Sequence, residues 1–348
     1  MKRINGILKR PALFKPGYPR LDWIQVEITT RCNGDCLYCP QHAWRRRWQG
    51  RDMALEIFES LVPAFKKTGL VYLQGWGEPF LHPDFFRLLQ IAKSAGTRVG
   101  TTTNGTLIDQ PTADRLVAEG LDIVALSLAG LPEKNDLIRK GTRLGAVLNT
   151  IDRLNRAKNQ YGRNAPAIHI AYMLLGSQVN ETDRLPDFLA GLGADQVVVS
   201  SLSLVTTPDW RDEAILAGTS KQWAELAEKI QAVREVAGRR NVNMHFQLVS
   251  PLVEPGPCHE NIKRALVIGV NGDVSPCVMT CLPESCPPAR LTFGNITDQP
   301  LNDIWRRPGY RAFRRRWASG DRPEPCRDCL KSRMTTIERP AAVLVPDF

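Results

Sequence analysis

The chain has 348 residues, of which 43% are hydrophobic, and a formal net charge of +10. That is enough to build a large core, with one barrel-sized domain and a smaller one as the natural division. Its mean hydropathy is −0.25 and no apolar run approaches the length of a membrane span. The basic start, Met1-Lys2-Arg3, is followed by no long apolar core and no small-residue cleavage site. Nine cysteines are an odd number for a disulfide framework. Their clustering argues for metal in a reducing compartment, hence a soluble cytoplasmic protein. The excess positive charge reads either as a solvated surface or as a match to an anionic substrate or an acidic electron donor. Its densest runs are Trp44-Arg45-Arg46-Arg47-Trp48 and Arg314-Arg315-Arg316-Trp317. No recognised nucleic-acid module accompanies them, so nucleic acid is not expected as a partner.

In chain order, residues 1–21 form a basic lead-in rich in proline and glycine. A strand over 23–30 runs into the loop Cys32-Asn33-Gly34-Asp35-Cys36-Leu37-Tyr38-Cys39. Leu55, Phe58, Leu61, Val62 and Phe65 fall at helical spacing and predict a helix over 53–68. Further strands are predicted at Val71–Gln74, Arg98–Thr102, Ile123–Leu128, Ala167–Leu174 and Gln196–Leu202. The helices between and after them are predicted over 84–95, 110–119, 144–160, 183–192 and 220–237. Six strand–helix units with short links give a helix-covered parallel sheet that curls toward a barrel, with chemistry at the carboxyl ends of its strands. From about residue 240 the alternation stops, and prolines and cysteines rise. The expected division is therefore a lead-in over 1–21, a core domain over 22–239 and a small cysteine-rich domain over 240–348. The last has a core too thin to stand without metal.

Cys32, Cys36 and Cys39 sit on a loop short enough to wrap three thiolates around one centre. Three ligands leave one iron of a four-iron cube open, as a catalytic metal needs. A zinc knot is the alternative, but it wants a fourth ligand, and only His42 lies at close range. After the second strand comes Gly75-Trp76-Gly77-Glu78-Pro79. Its glycines let backbone approach a ligand, and its acid can meet an ammonium, or the segment is a plain turn. Thr102-Thr103-Asn104-Gly105 ends the third strand as a turn or a ribose contact. Ser127-Leu128-Ala129-Gly130 ends the fourth and leads to Arg139-Lys140-Gly141. The Arg139 guanidinium suits a carboxylate, or is a surface arginine. Cys258, Cys277, Cys326 and Cys329 supply four thiolates, enough to close a four-iron cluster or a zinc site. Asn271-Gly272 predicts a hairpin that presents Cys277 beside Cys258. Cys281 and Cys286 are surplus; they pack, or one is a redox or hydrogen-donating thiol.

The Cys-x3-Cys-x2-Cys spacing, with Tyr38 before the third cysteine, resembles the signature of radical S-adenosylmethionine (SAM) enzymes. The resemblance implies a partial (β/α)6, TIM-like barrel with a [4Fe-4S] cluster on Cys32, Cys36 and Cys39. The open iron would bind SAM, and one electron would cleave it to methionine and a 5′-deoxyadenosyl radical that abstracts hydrogen from substrate. Gly77 and Glu78 would meet the SAM amino group, Ser127 would touch SAM and Arg139 would pair with its carboxylate; Tyr38 and Asn104 complete the expected cofactor contacts. Leu175 to Glu181 is similar to an adenine-side motif. Ala129 and Asn135 depart from the family pattern, which has Asp and His there. The C-terminal cysteines resemble the shortened "twitch" form of the SPASM domain, implying a second [4Fe-4S] cluster on Cys258, Cys277, Cys326 and Cys329. Because that cluster has no open iron, it suits electron uptake. The expected reaction is thus an oxidative one, a dehydrogenation or a peptide or small-molecule modification, fed by flavodoxin or ferredoxin. Many peptide-modifying relatives carry a winged-helix leader-binding domain; residues 1–21 are not expected to hold one, which favours a small molecule, or a peptide or protein bound without it. A redox-neutral epimerase using a thiol such as Cys281, another maturase, or a non-enzymatic iron–sulfur or zinc protein are the alternatives.

Overall fold

Runs rich in valine, isoleucine and leucine, separated by amphipathic helices, settle into one ten-stranded sheet. The computed structural model describes residues 18–250, 256, 258–283, 286 and 290–336, so residues 1–17 of the expected lead-in lie outside the described residues. Seven strands follow one another in space as in sequence: β1 (Leu21–Val26), β2 (Thr68–Leu73), β3 (Arg98–Thr103), β4 (Ile123–Ala129), β5 (Ala167–Leu174), β6 (Gln196–Ser201) and β7 (Met244–Val249). All pair in parallel. Crossover helices such as Phe85–Ser94, Gln110–Ala118, Leu144–Tyr161 and Ser220–Arg239 make that possible, since parallel neighbours need long connections. In β5, Ile168, Ile170, Tyr172 and Leu174 are buried while Ala167, His169, Ala171 and Met173 are half-buried. The first set packs in one cluster with helix residues such as Val147, Ile151 and Leu154. Ala171 and Met173, with Tyr172 between them, line a cavity that opens at the carboxyl ends of the strands.

The parallel run extends beyond the sequence expectation in both directions. Met244, Phe246 and Leu248 are buried and alternate with half-buried His245 and Gln247, so β7 continues the sheet past residue 240. On the other side, β8 (Ala265–Ile268) pairs in parallel with β1, its Ile268 opposite Val26. β9 (Val274–Ser275) closes the predicted hairpin onto β8, with Val267 opposite Ser275. Its turn is wider than two residues: Gly269 N–H donates to Asp273 O at 2.9 Å, which leaves Val270, Asn271 and Gly272 in the loop. β10 (Met334–Thr336) pairs antiparallel with β7. The apolar core accordingly runs without a break from the helix-covered face of the sheet into Ile304, Trp305, Tyr310, Phe313 and Trp317. Phe293 stacks on Tyr310 with ring centroids 4.0 Å apart, and Arg314 lies 3.7 Å over the Trp305 ring. The C-terminal part is thicker than its composition led one to expect.

The helix predicted over 53–68 is broken into Leu55–Glu59 and Val62–Phe65, and β2 begins at Thr68. Pro63 is the reason: it has no N–H to donate and its ring collides with the carbonyl four residues back. Similarly, the segment predicted as a helix over 183–192 is a 3-10 turn, Gly176–Arg184, followed by the short helix Leu185–Leu189.

Candidate active site

The three clustered cysteines follow β1 at the carboxyl edge of the sheet. Their loop is fixed by backbone pairing: Asp35 and Cys36 form a two-residue antiparallel ladder with Lys140 and Arg139. The Cys39 N–H donates to Cys36 O at 2.9 Å, and Cys39 O accepts from His42 N–H at 3.0 Å, which starts the short helix Pro40–Ala43. The Asp35 carboxylate binds His42 Nδ1 at 2.7 Å and Arg45 at 2.6 Å. The His42 hydrogen bond, with the nearby Arg45, holds it below the usual carboxylate range. Gln41 Nε2 donates to Thr30 O at 2.8 Å and Trp76 O at 2.9 Å, tying the cysteine loop to the loop after β2.

That second loop nests against the first so closely that only glycine fits. A Cβ on Gly75 would lie 2.2 Å from Glu27 Cγ, and one on Gly77 would lie 2.2 Å from the Thr29 carbonyl oxygen. Glu78 is buried. Its Oε1 accepts from Thr103 Oγ1 at 2.7 Å and Phe80 N–H at 3.3 Å, and its Oε2 from Asn104 N–H at 2.7 Å. Burial pushes its pKa up, opposed first by the Asn104 N–H and then by the Thr103 hydroxyl. Asn104 spends both ends of its side chain within the protein: Nδ2 donates to Asn33 Oδ1 at 2.7 Å, and Oδ1 accepts from Thr106 N–H at 2.9 Å. It therefore braces the cysteine loop.

Arg139 is no surface arginine; its side chain is buried. Nη1 donates to the Tyr38 hydroxyl, and Nε is buried with no hydrogen-bond partner among the described residues. The Tyr38 ring meets Trp210 edge-on at 6.4 Å. Asn135, at a position where the family pattern has His, is fully buried, and its Oδ1 accepts from Ala129 N–H at 3.1 Å. This neutral side chain holds the end of the strand.

Cys32, Cys36, Cys39, Tyr38, Gly77, Glu78, Asn104, Ser127 and Arg139 all line one cavity of about 410 Å³. Thr102, from the Thr102–Gly105 motif, lines it as well, as do Gln74, Met173 and Ser200, which sequence reasoning did not single out. Their signal was present: each sits at a strand's carboxyl end on the side that does not pack under the helices. No residue of Leu175 to Glu181 is among those lining the cavity. The orphaned Arg139 Nε, in a cavity shared with three thiols, fits a ligand that brings a carboxylate to a three-cysteine metal site.

Cys258, Cys277, Cys326 and Cys329 together line a second cavity of about 730 Å³. Burial pushes the Cys277 thiol up to about 12 and the Cys326 thiol up to about 11. Four thiols that line one cavity, ionised together, would need a multivalent cation to neutralise them, which is what a cluster supplies. Beside them Lys331 pairs with Glu260 at 2.9 Å. Between the two cavities Tyr38, Met173, Val205, Trp210 and Leu330 pack around Leu175, Leu202 and Ala214. Tyr38 and Met173 face the first cavity, Val205 and Leu330 the second. Cys281 and Cys286 are buried and line neither cavity.

The radical SAM superfamily model matches residues 26–189, and the model of an iron–sulfur cluster-binding domain, SPASM, matches residues 258–330. The chain belongs to the radical SAM superfamily. Its two matched domains are [4Fe-4S] cluster domains, and S-adenosylmethionine serves the first. Among similar proteins, a tungsten-containing aldehyde ferredoxin oxidoreductase cofactor-modifying protein of Pyrococcus furiosus is 26% identical over 307 residues, covering 84% of this chain and 83% of its own. A PqqA peptide cyclase of Granulibacter bethesdensis is 22% identical over 309 residues, covering 87% and 78%. Among solved structures, Streptococcus suis SuiB bound to S-adenosylmethionine superposes with a TM-score of 0.66 at 19% identity, over 84% of this chain and 68% of SuiB. Native anSMEcpe with bound AdoMet gives 0.64 at 18% identity, over 84% and 82%. These structures share the fold of this radical SAM protein.

Two links join the SAM-side loop to the C-terminal part. Trp76 Nε1 donates to Val278 O and Cys281 O, both at 3.2 Å, and Trp76 N–H donates to Glu27 Oε1 at 2.9 Å. Burial pushes the Glu27 carboxyl up to about 7, against donation from the Trp76 and Val270 N–H groups and the nearby Arg290. An acid held at a raised value stays protonated in the folded state while the unfolded chain ionises, so stability present below about pH 4.5 is lost as the pH rises through about 7. Melting temperatures from pH 5 to 8 should show wild type losing ground to Glu27→Gln, by on the order of 3 kcal/mol; a pH-independent difference between the two contradicts this. Arg139→Lys keeps the charge but loses the planar fork, which should cost about 1.5–3 kcal/mol and lower SAM affinity by about one to two orders of magnitude in equilibrium dialysis. Unchanged affinity would take Arg139 out of SAM binding.

Proposed function

We propose that this enzyme performs an oxidative radical modification of a peptide or small-molecule substrate, with two clusters in separate roles. Cys32, Cys36 and Cys39 hold the SAM-cleaving cluster. Cys258, Cys277, Cys326 and Cys329 would hold a second cluster, whose chemistry there would be to accept one electron in an oxidative reaction. The observation that carries this reading is the closed set of four thiols around a cavity one apolar wall away from the SAM cavity. A cluster with all four irons ligated has no position for substrate and is suited to receive an electron. Together, the first cluster and SAM supply a carbon radical able to remove a hydrogen atom from substrate.

The chain's own groups prepare that chemistry. An ionised carboxylate has about four lone-pair sites. Glu78 uses three on Thr103, Phe80 and Asn104, which leaves one on Oε2 for the SAM ammonium. The Tyr38 hydroxyl orients the Arg139 fork from one side and leaves Nε for the SAM carboxylate. Ser127, on β4, reaches the same cavity from the neighbouring strand. Asn104 acts by position, holding Asn33 and with it the cysteine loop.

The relatives' names point to modified peptides and cofactors. One is a peptide cyclase and another a cofactor-modifying protein, and SuiB and anSMEcpe have both been crystallised with peptides. These support a peptide or small molecule in the shared cavity. A flavodoxin or ferredoxin of the cytoplasm is the fitting one-electron donor, and oxidoreductase the fitting class. The division at 21/22 and 239/240 belongs to this reading with one refinement: β7 and β8 join the second part to the core sheet. The redox-neutral alternative needs a thiol facing the SAM cavity, whereas Cys281 lies beside Gly269 and Glu27 on the far side of the Gly75–Gly77 loop.

Replacing Cys326 and Cys329 together by serine should leave 5′-deoxyadenosine formation within about twofold of wild type and remove the oxidised product. The ratio of the two, measured in protein shown by iron analysis to lack the second cluster, decides the matter. An unchanged ratio would make that cluster structural and favour the redox-neutral reaction.

A further inference from the structure

The three cysteines line two cavities, one on each side of their loop. The inner one is the SAM cavity. The outer one, of about 400 Å³, is walled by Cys32, Cys36, Cys39, Arg31, Asp35, His42, Arg45 and Trp48. Cys32 is exposed. The metal site thus has a face turned away from SAM and toward the surface. The run Arg45-Arg46-Arg47 forms a 3-10 turn directly after the helix that Cys39 starts, and all three side chains are exposed. Lys140, opposite Asp35 in the two-residue ladder, is exposed on the same loop system. Local carboxylates do not cancel this charge. Asp35 is shared between His42 and Arg45, Asp52 pairs with Arg31 at 2.8 Å, and neither Arg46 nor Lys140 meets a carboxylate among the described residues. A tryptophan, Trp48, sits at the rim with its indole nitrogen buried.

We propose that this outer face, centred on Arg45, Arg46 and Lys140 around Cys32, is the docking surface for an acidic one-electron carrier protein. The proposal rests on the reading of Cys32, Cys36 and Cys39 as the reducible metal site and adds where its electron enters. Transfer of electrons falls steeply with distance, so a carrier gains most by docking where a ligand sulfur is exposed. The cationic rim draws in an anionic partner and orients it, and the dependence on ionic strength follows from screening. One electron moves per encounter: the carrier is oxidised by one electron and the cluster is reduced by one. The SAM cavity lies on the opposite side of the cysteines, so docking and SAM binding do not compete for space.

The test uses the anaerobically reconstituted full chain, a purified flavodoxin reduced to its hydroquinone, and dithionite as a small reductant. Two things are read: the rate of cluster bleaching by stopped flow and the affinity for oxidised flavodoxin by calorimetry. In wild type both should fall steeply between about 50 mM and 500 mM salt. In Arg46→Glu/Lys140→Glu at low salt, both should drop about tenfold with flavodoxin, while dithionite reduces wild type and variant within about twofold of each other. Arg45 is left in place because it supports Asp35 in the cysteine loop. Equal loss with dithionite would show that the two residues act on the cluster itself and would overturn the proposal. So would flavodoxin rates that ignore both salt and substitution, or RNA binding lost in the variant while flavodoxin still reduces it normally. If wild type cleaved SAM with dithionite but never bound or accepted electrons from flavodoxin, the docking surface would fall and the SAM-cleaving assignment would stand.

Discussion

The pairing of Cys36 with Arg139 is the constraint on which the rest depends. A three-cysteine site must be held firmly, because it lacks the fourth protein ligand that would lock a structural metal. Here the protein provides rigidity without closing the coordination. Two backbone residues on each side form a ladder, so a metal-ligand loop and a buried guanidinium are set in register by main chain alone. Asn33 is then fixed by Asn104, and Gln41 by the carbonyls of Thr30 and Trp76. Each strut comes from a different strand end. A small shift in any one of them moves the thiols relative to Glu78 and Arg139, and such shifts are costly at a site that must orient reacting atoms.

A second constraint couples the two parts of the molecule. β8 extends the sheet beyond β1, so the hairpin that carries Cys277 is registered against the strand that carries the first cysteine loop. Glu27 and Trp76 then tie the loop after β2 to backbone around Val270, Val278 and Cys281. Glu27 is buried where an ionised carboxylate is expensive, and this gives the junction a pH dependence of its own. The separation of the two metal sites is therefore fixed by the sheet and is independent of any flexible linker.

Much of this was legible in the sequence. The cysteine triplet, the Gly-Trp-Gly-Glu-Pro turn and Arg139 carry their chemistry in residue type and spacing, and all reach one cavity. The strands β1 to β6 announced themselves by short apolar runs between helical periods. What escaped was non-local. Met244 to Val249 alternates cleanly, yet the prolines that follow made it look like the start of another domain. Nothing near Ala265 says that it will pair with Trp23, more than two hundred residues earlier. Asn104 reads as a turn or a ribose contact, and its bracing of Asn33 and Thr106 shows only in the fold. Trp76 reads as a variable position in a glycine motif until its indole is found on the C-terminal part. Local patterns encode elements; contacts between elements decide which polar groups are spent on structure.

On the proposed reading, one metal site in this chain is open and faces SAM while the other is closed. Mössbauer spectroscopy of ⁵⁷Fe-reconstituted protein, with and without SAM, tests it most directly. The account predicts two four-iron clusters, with one iron in about eight changing its isomer shift when SAM is added and the remainder unmoved. A spectrum in which no iron responds to SAM, or in which irons of both clusters respond, would contradict it.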